Sequence, residues 1–342
     1  QFLYFIGPRT PMASPACVAI AGVGGIGAKL LDRLMHDRTW CGMPVDTAII
    51  IDYMPQAARR DALAQRLAEA FPGGRSAVFH WNAAELASTE ALGEHLSRFL
   101  NGRPIDALLI TTGMGFHGNV ASLSLQRSNE VLQRMLQINC TGPAMLTQLV
   151  ATAHMRGSDE KQPPGQKRPP PTILIMSSYS GLIGLPDRAA YCASKFALNG
   201  WAEGLYADMQ HLRIVLVCPT TVETGFRDNW KKQLGGGGAG AGVAPAPSPS
   251  SSAAPGFTAS VLKALGMDGK KVLSVPECVD GVWAAFSDRG RGSGVQYVVM
   301  KGFWTGVASW GSKTSFMGDF MRRRVMAKMA AADDEAPAKS KL

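Results

Sequence analysis

From Ala16 onward, short continuous apolar runs alternate with longer mixed stretches. Cys17-Val18-Ala19-Ile20-Ala21 predicts a strand that ends in glycines, and residues 28–37 predict a helix. A second strand falls within 46–52, around Ala48-Ile49-Ile50-Ile51, followed by a helix over 56–70. Ala77-Val78-Phe79 is a third strand, 90–100 a helix, and Ala107-Leu108-Leu109-Ile110 a fourth strand. One long helix is expected over 128–154, a fifth strand over 172–176, a helix over 189–212 and a sixth strand over 214–217. A helix over 276–286 and a strand over 295–300 complete the series. Apolar runs of this length, separated by helices, are strands buried on both faces. That implies an α/β fold with a doubly wound parallel sheet.

Two segments interrupt the rhythm. Residues 156–171 are polar and proline-rich, and residues 235–256 are almost entirely Gly, Ala, Ser and Pro. The second composition cannot bury a core. Both read as insertions within a single domain over 16–322, flanked by an N-terminal extension (1–15) and a C-terminal tail (323–342). The chain begins at Gln1, and Met12 is the expected natural start.

The 342 residues are 46% hydrophobic, enough for a sizeable core, and only 18% charged, which argues against a wholly disordered chain. No run approaches the ~18 consecutive apolar residues of a spanning helix. The net charge of +9 is partly local, in Lys161, Lys167 and Arg168 and in Arg322, Arg323, Arg324 and Lys328. It reads mainly as solvated faces with some attraction for anionic ligands. No nucleic-acid-reading signature accompanies it, so no nucleic-acid partner is expected. Six scattered cysteines lack metal-ligand or disulfide-framework spacing, so no metal is expected.

The first strand runs into Gly22-Val23-Gly24-Gly25-Ile26-Gly27 and then a helix. Gly22, Gly24 and Gly27 fit G-x-G-x-x-G, a turn that lets backbone approach a pyrophosphate at a helix N-terminus. Asp52 ends the next strand, where a carboxylate accepts hydrogen bonds from ribose hydroxyls; Tyr53 follows it. A second constellation is Tyr191-Cys192-Ala193-Ser194-Lys195. Tyr191 and Lys195, four apart, share a helix face. A phenol near pKa ~10 is a poor acid–base group at neutral pH until a neighbouring ammonium stabilises its anion. Ser178, at the end of the fifth strand, could hold a substrate oxygen beside that tyrosine.

With Tyr191-x-x-x-Lys195, Ser178 and Asn139 at matching offsets, the sequence resembles the short-chain dehydrogenase/reductase family over roughly residues 16–302. The resemblance implies a single Rossmann-type domain of about seven parallel strands and hydride exchange with a nicotinamide. It assigns Tyr191 as acid/base and Ser178 as holder of the substrate oxygen. Lys195 would bind the nicotinamide ribose and lower the tyrosine pKa, and Asn139 would hold a water of the proton relay. Gly22, Gly24, Gly25, Ile26, Gly27, Asp52, Tyr53, Asn82, Thr112, Gly113, Pro219 and Thr224, with Tyr191 and Lys195, would line the cofactor site.

The sequence departs from the family pattern at several points. Its glycine turn is one residue shorter, Ile110-Thr111-Thr112-Gly113 replaces an Asn-Asn-Ala-Gly, Asn82 stands where an aspartate is common, and Pro219 is followed by Thr220. NAD is expected as cofactor, with NADP possible. The substrate lid would span about 223–269, and a second apolar cluster (Phe303, Trp304, Val307, Trp310, Phe316, Met317, Phe320) follows the last strand.

Ser340-Lys341-Leu342 reads as a peroxisomal address and implies an import receptor as partner, with a peroxisomal or glycosomal matrix location. The resemblance also implies a homo-oligomer, a dimer or tetramer. The expected activity is interconversion of a secondary alcohol and a ketone on a bulky apolar or lipid-derived substrate. The alternatives are a non-catalytic nucleotide-binding or scaffold subunit and an enoyl-CoA reductase.

Overall fold

Continuous apolar strands need cover on both faces, and the computed structural model supplies it with helices packed on each side of a parallel sheet. It describes residues 15–157, 168–223, 273–288 and 292–300. In chain order the elements are β1 (Ala16–Ala21), α1 (Gly25–Asp37), β2 (Thr39–Trp40), β3 (Met43–Asp52), α2 (Ala57–Ala70), β4 (Arg75–His80), α3 (Leu86–Leu100) and β5 (Ala107–Ile110). Then come α4 (Leu125–Leu136), α5 (Gly142–Ala153), β6 (Thr172–Met176), α6 (Ala189–Asp208), β7 (Arg213–Pro219), α7 (Val275–Phe286) and β8 (Gly294–Met300).

Seven strands run parallel in the order β4-β3-β1-β5-β6-β7-β8. The strand β2 is a two-residue antiparallel partner of β3, pairing Thr39 with Pro44 and Trp40 with Met43. The order reverses between β1 and β5. In open α/β sheets a ligand crevice opens at such a switch point, outside the carboxyl ends of the strands.

Each strand serves two cores. Along β1, Val18 and Ile20 face one side and Cys17, Ala19 and Ala21 the other. The first side is covered by Leu30, Leu31 and Leu34 of α1, Leu63 and Leu67 of α2, and Val279, Val282 and Phe286 of α7. The second is covered by Leu92, Leu96 and Leu100 of α3, Leu146 and Val150 of α5, and Leu198 and Ala202 of α6. Each such buried Leu or Ile is worth about 1.5–3 kcal/mol relative to exposure. Ser274 caps α7 in a reciprocal box: its Oγ accepts Glu277 N at 3.3 Å while Glu277 Oε2 accepts Ser274 N at 2.9 Å.

Three details differ from the expectation. The helix foreseen over 128–154 is α4 and α5 joined by a widened π turn over Gln137–Thr141. An extra residue per turn does not alter apolar patterning enough to be read from sequence. The π turn also brings Gly142 against the β4–α3 loop, where a Cβ would meet the Ala83 carbonyl oxygen at 2.2 Å. The strand β2 was not foreseen, because Cys41 (φ 46°) and Gly42 (φ 63°) turn the chain within two residues. The helix expected to run to 212 stops at Asp208, where the chain turns into β7.

Thr224, nearly all of the expected lid, the 235–256 insert, the aromatic cluster after the last strand and Ser340-Lys341-Leu342 lie outside the described residues. Among the described residues, no helix is long and apolar enough to cross a membrane.

Candidate active site

The glycine turn is shaped by close backbone packing at the switch point. Gly22 has φ +88°, a left-handed conformation, and a Cβ there would meet Thr112 N at 2.7 Å. A Cβ at Gly27 would fall 2.0 Å from the Gly22 carbonyl oxygen. Thr111 Oγ1 donates to Gly22 O, and Thr111 N donates to Ala21 O at 2.8 Å, so the loop after β5 is stitched to the turn after β1. Gly24 and Gly25 face open space. Gly24 is the N-cap of α1 and brings no side chain to cap it. Ile26 packs partly buried against the core.

Asp52, at the end of β3, accepts Val23 N at 3.1 Å and Tyr53 N at 2.8 Å. Its carboxylate is thereby fixed beside the glycine turn. Tyr53 is 60% exposed and its ring leans on His80, with centroids 5.3 Å apart. Asn82 Oδ1 accepts Ala84 N at 3.1 Å and its Nδ2 donates to Glu85 Oε1 at 2.6 Å, which holds the β4–α3 loop. Asp52, Tyr53, Asn82, Thr112 and Gly113 line one cavity of about 1190 Å³, closed on its far side by α4. Pro219 ends β7, buried in the sheet.

The acid–base group stands on α6. Ser178 Oγ accepts Ser180 N at 3.1 Å, and its hydroxyl is hydrogen-bonded to the Tyr191 phenol. Burial pushes the Tyr191 phenol up from its usual value, while the Ser178 hydroxyl and the positive charge of Arg188 pull it down. Lys195 is 3% exposed and its Nζ donates to Met176 O at 3.0 Å, 6.0 Å from the Tyr191 ring centroid. Burial lowers its ammonium to about 8. The neighbouring Ser177 is structural: its Oγ donates to Asn199 Oδ1 at 2.7 Å, and Asn199 donates to Gly181 O at 2.9 Å.

Asn139 lies in the π turn and is fully buried. Its Oδ1 accepts Met114 N at 2.7 Å, and its Nδ2 donates to Met114 O at 2.8 Å and to Ser194 Oγ at 3.0 Å. Ser194 Oγ in turn donates to Tyr191 O at 2.8 Å. The Asn139 side chain thus ties the loop after β5 to α6. A Cβ at Gly113 would meet both Asn139 Oδ1 (3.3 Å) and Lys195 Nζ (3.5 Å), so those groups flank a glycine of the cavity wall. The structure therefore brings Asn139, Ser178, Tyr191 and Lys195 together with the glycine turn at the carboxyl ends of the central strands. Sequence reasoning missed Ser194, although it stands inside the Tyr191–Lys195 stretch, and it missed the carbonyls of Met114 and Met176, which carry no side-chain signal.

The residues present fit a dinucleotide. Thr112 Oγ1 is buried without a hydrogen-bond partner, two glycines offer uncovered backbone at the start of α1, and an anchored carboxylate stands beside them.

The chain belongs to the short chain dehydrogenase family, whose model matches residues 16–235. It is 30% identical to human (Homo sapiens) retinol dehydrogenase 8 over 218 residues, 63% of this chain and 61% of that protein. It is 29% identical to human 17-beta-hydroxysteroid dehydrogenase type 1 over 188 residues, 53% of this chain and 48% of that one. With the very-long-chain 3-oxoacyl-CoA reductase of Ajellomyces capsulatus it shares 32% over 106 residues, 31% and 28% of the two chains. These matched stretches each span less than two thirds of the relative's own length. Among solved structures, a short-chain dehydrogenase/reductase from Serratia marcescens superposes with TM-score 0.58 at 19% identity, covering 86% of this chain and 99% of that one. A 3-oxoacyl-[acyl-carrier protein] reductase from Brucella melitensis, solved in complex with NAD, gives 0.56 at 20%, covering 86% and 98%. At such identities the likeness is one of fold.

Proposed function

We propose that the chain is an oxidoreductase that interconverts a secondary alcohol and a ketone on a bulky apolar substrate, with NAD(H) preferred over NADP(H). The observation that carries this reading is the Ser178–Tyr191 hydrogen bond, with Lys195 one turn further along α6 and the glycine turn at the same carboxyl end of the sheet. Gly22, Gly24, Gly25, Gly27, Asp52, Thr112 and Gly113 would hold the cofactor. When bound, a nicotinamide supplies or accepts the hydride.

The protein's own residues handle the oxygen and the proton. Ser178 Oγ keeps one lone pair on Ser180 N and uses its hydrogen toward the reacting oxygen. Tyr191 gives the proton to that oxygen in reduction and takes it in oxidation. Asn139 and Ser194 fix the position of α6 against the cavity wall, which keeps reacting groups in register. The side chains packed around Tyr191 form an apolar wall of Met114, Phe116, Val131 and Met135, while Arg127, Glu130 and Arg134 of α4 also line the cavity. The apolar wall suits a hydrophobic carbonyl compound, and the names of the relatives, on retinol, steroid and oxoacyl-CoA substrates, lean the same way.

The test is a panel of steroid, retinoid and 3-oxoacyl-CoA substrates with NAD(H) and NADP(H), followed at the nicotinamide absorbance band. Turnover of an apolar ketone or alcohol that disappears in Tyr191→Phe supports the reading. No turnover across the panel, despite measurable cofactor binding, overturns it.

A further inference from the structure

A second cavity, of about 310 Å³, opens at the amino end of the sheet, between the loop that follows α3 and the chain that leaves α5. Arg103, His154 and Arg156 line it. The charges that meet there do not cancel. Arg103 holds Asp46, with Nη1 donating to Oδ2 at 2.9 Å, and its Nη2 also donates to Pro15 O at 3.1 Å. Arg156 Nη1 donates to Asp106 Oδ1 at 2.6 Å and its Nη2 to Pro169 O at 3.2 Å. Arg168 takes Asp106 as well, Nη2 to Oδ2 at 3.0 Å. Three guanidinium groups thus share two carboxylates. Arg75, whose Nη2 donates to Phe99 O, adds a further positive charge nearby, while Arg98 of α3 is matched by Glu94. Much of this excess is withdrawn from water: the Arg156 side chain is 10% exposed and that of Arg103 27%. Charge left uncompensated away from water is costly.

His154 is the second observation. It is 7% exposed, its Nε2 is enclosed, and its ring makes no hydrogen bond among the described residues. Buried polar groups are nearly always bonded, so an orphan of this kind needs an explanation. The ring does not stand on a loose segment: His154 N donates to Val150 O at 3.0 Å, and His154 O accepts Ile105 N at 2.6 Å. Burial lowers its pKa, so at pH 7 the ring is neutral and has one N–H to give.

The donors that remain select the ligand. Arg103 and Arg156 have spent Nη hydrogens on carboxylates and carbonyls, and each keeps an Nε–H that makes no bond among the described residues. The parallel fork that suits a planar carboxylate is therefore partly used. Single donors from separate positions suit a tetrahedral oxyanion, which presents oxygens in several directions. Helices α3 and α5 both end here, and bare carbonyl ends would repel an anion. Several are already satisfied: Ser97 O accepts Asn101 N, Leu100 O accepts Arg103 N, and Val150 O accepts His154 N.

We propose that this cavity binds a single phosphoryl group, as inorganic phosphate or a small phosphate monoester, through Arg103, His154 and Arg156. The site lies at the far end of the strands from Tyr191 and does not depend on the oxidoreductase reading. An anion there offsets the excess guanidinium charge and ties the loop after α3 to the end of α5.

The test uses the full chain without cofactor, titrated calorimetrically with inorganic phosphate and with glycerol 3-phosphate, chloride holding the ionic strength at about 0.15 M. Binding to the unmodified protein should weaken by about tenfold or more in His154→Leu and in Arg103→Gln, the worth of a hydrogen bond to a charged group. Asp52→Ser should bind as the unmodified protein does. Similar affinity for both ligands means that the phosphoryl group alone is read; binding of phosphate but not the ester restricts the site to the free ion. No binding overturns the proposal, and so does binding that the His154 and Arg103 variants leave unchanged, which would put the anion elsewhere, such as at the glycine turn. Hydrogen–deuterium exchange on the unmodified protein keeps the test open if both variants fail to fold. Phosphate should slow exchange over residues 97–106 and 150–157 relative to chloride, and equal exchange there overturns the proposal.

Discussion

The Asp52 carboxylate closes the glycine turn from the neighbouring strand, accepting Val23 N on Oδ2 and Tyr53 N on Oδ1. Two backbone donors hold a negative charge at the place where a dinucleotide's ribose would lie. The downstream Arg60 does not offset it. Arg60 donates to Met54 O at 2.5 Å and Pro55 O at 3.0 Å, which commits it to the β3–α2 loop. An added 2′-phosphate would therefore meet like charge.

Asp52→Ser accordingly shifts the ratio of kcat/KM values toward NADP(H) by at least about tenfold, equivalent to ~1.4 kcal/mol. Steady-state kinetics with both cofactors check this. An unmodified protein that already prefers NADP(H) would reverse the assignment of Asp52.

Tyr191→Phe removes the ionisable hydroxyl and keeps the ring packed against Phe116 and Met135. Turnover falls by about 10²–10⁴-fold, the usual worth of general acid–base catalysis. Cofactor affinity, measured by fluorescence titration, changes little. Near-normal turnover in this variant would remove Tyr191 from the mechanism.

Asn139→Ala leaves Met114 N, Met114 O and Ser194 Oγ without their buried partner. Unsatisfied buried groups cost about 1–3 kcal/mol each. The variant should melt several degrees lower and lose activity, because the loop after β5 is no longer tied to α6. Ser194→Ala removes one of those bonds and should show a smaller loss of both. A melting temperature equal to that of the unmodified protein would show that Asn139 bears no such load.

Asp106 sits at the opposite end of the sheet from Tyr191. It is 2% exposed, and accepts Cys17 N at 2.9 Å, Arg156 Nη1 at 2.6 Å and Arg168 Nη2 at 3.0 Å. Removing one member of a buried ion cluster leaves the others uncompensated, typically at 3–5 kcal/mol. Asp106→Asn should lower chemical-denaturation stability by about that amount, with kcat of the folded fraction unchanged. A large fall in kcat at full folding would contradict the separation of foot and site.

Lys195 supplies a test by pH. Burial holds its folded pKa, about 8, below the unfolded value of about 10.4. Between those values the unfolded chain binds more protons, so this group makes stability rise with pH across roughly 8 to 10.4, and its penalty is present in full below 8. Lys195→Met should therefore raise the melting temperature of the cofactor-free protein at pH 7. The gain should shrink by pH 10. A gain independent of pH would mean that Lys195 is not buried as a cation.

Much of this protein is legible one residue at a time. The seven parallel strands follow from continuous apolar runs such as Ala48-Ile49-Ile50-Ile51, since only strands covered on both faces can be apolar at every position. The pairing of Tyr191 with Lys195 follows from helical spacing, and Gly22 from the need for a left-handed turn. The rest was decided in three dimensions. Asn139 meets Ser194 across 55 positions of sequence, and Asp52 meets Val23 across 29, because neighbouring elements converge at the reversal between β1 and β5. The π turn at Gln137–Thr141, the Met114 and Met176 backbone atoms that hold Asn139 and Lys195, and the depressed Lys195 ammonium have no signature in residue type. They arise from backbone geometry and from the exclusion of water, and both exist only once the sheet and its two helical layers have closed.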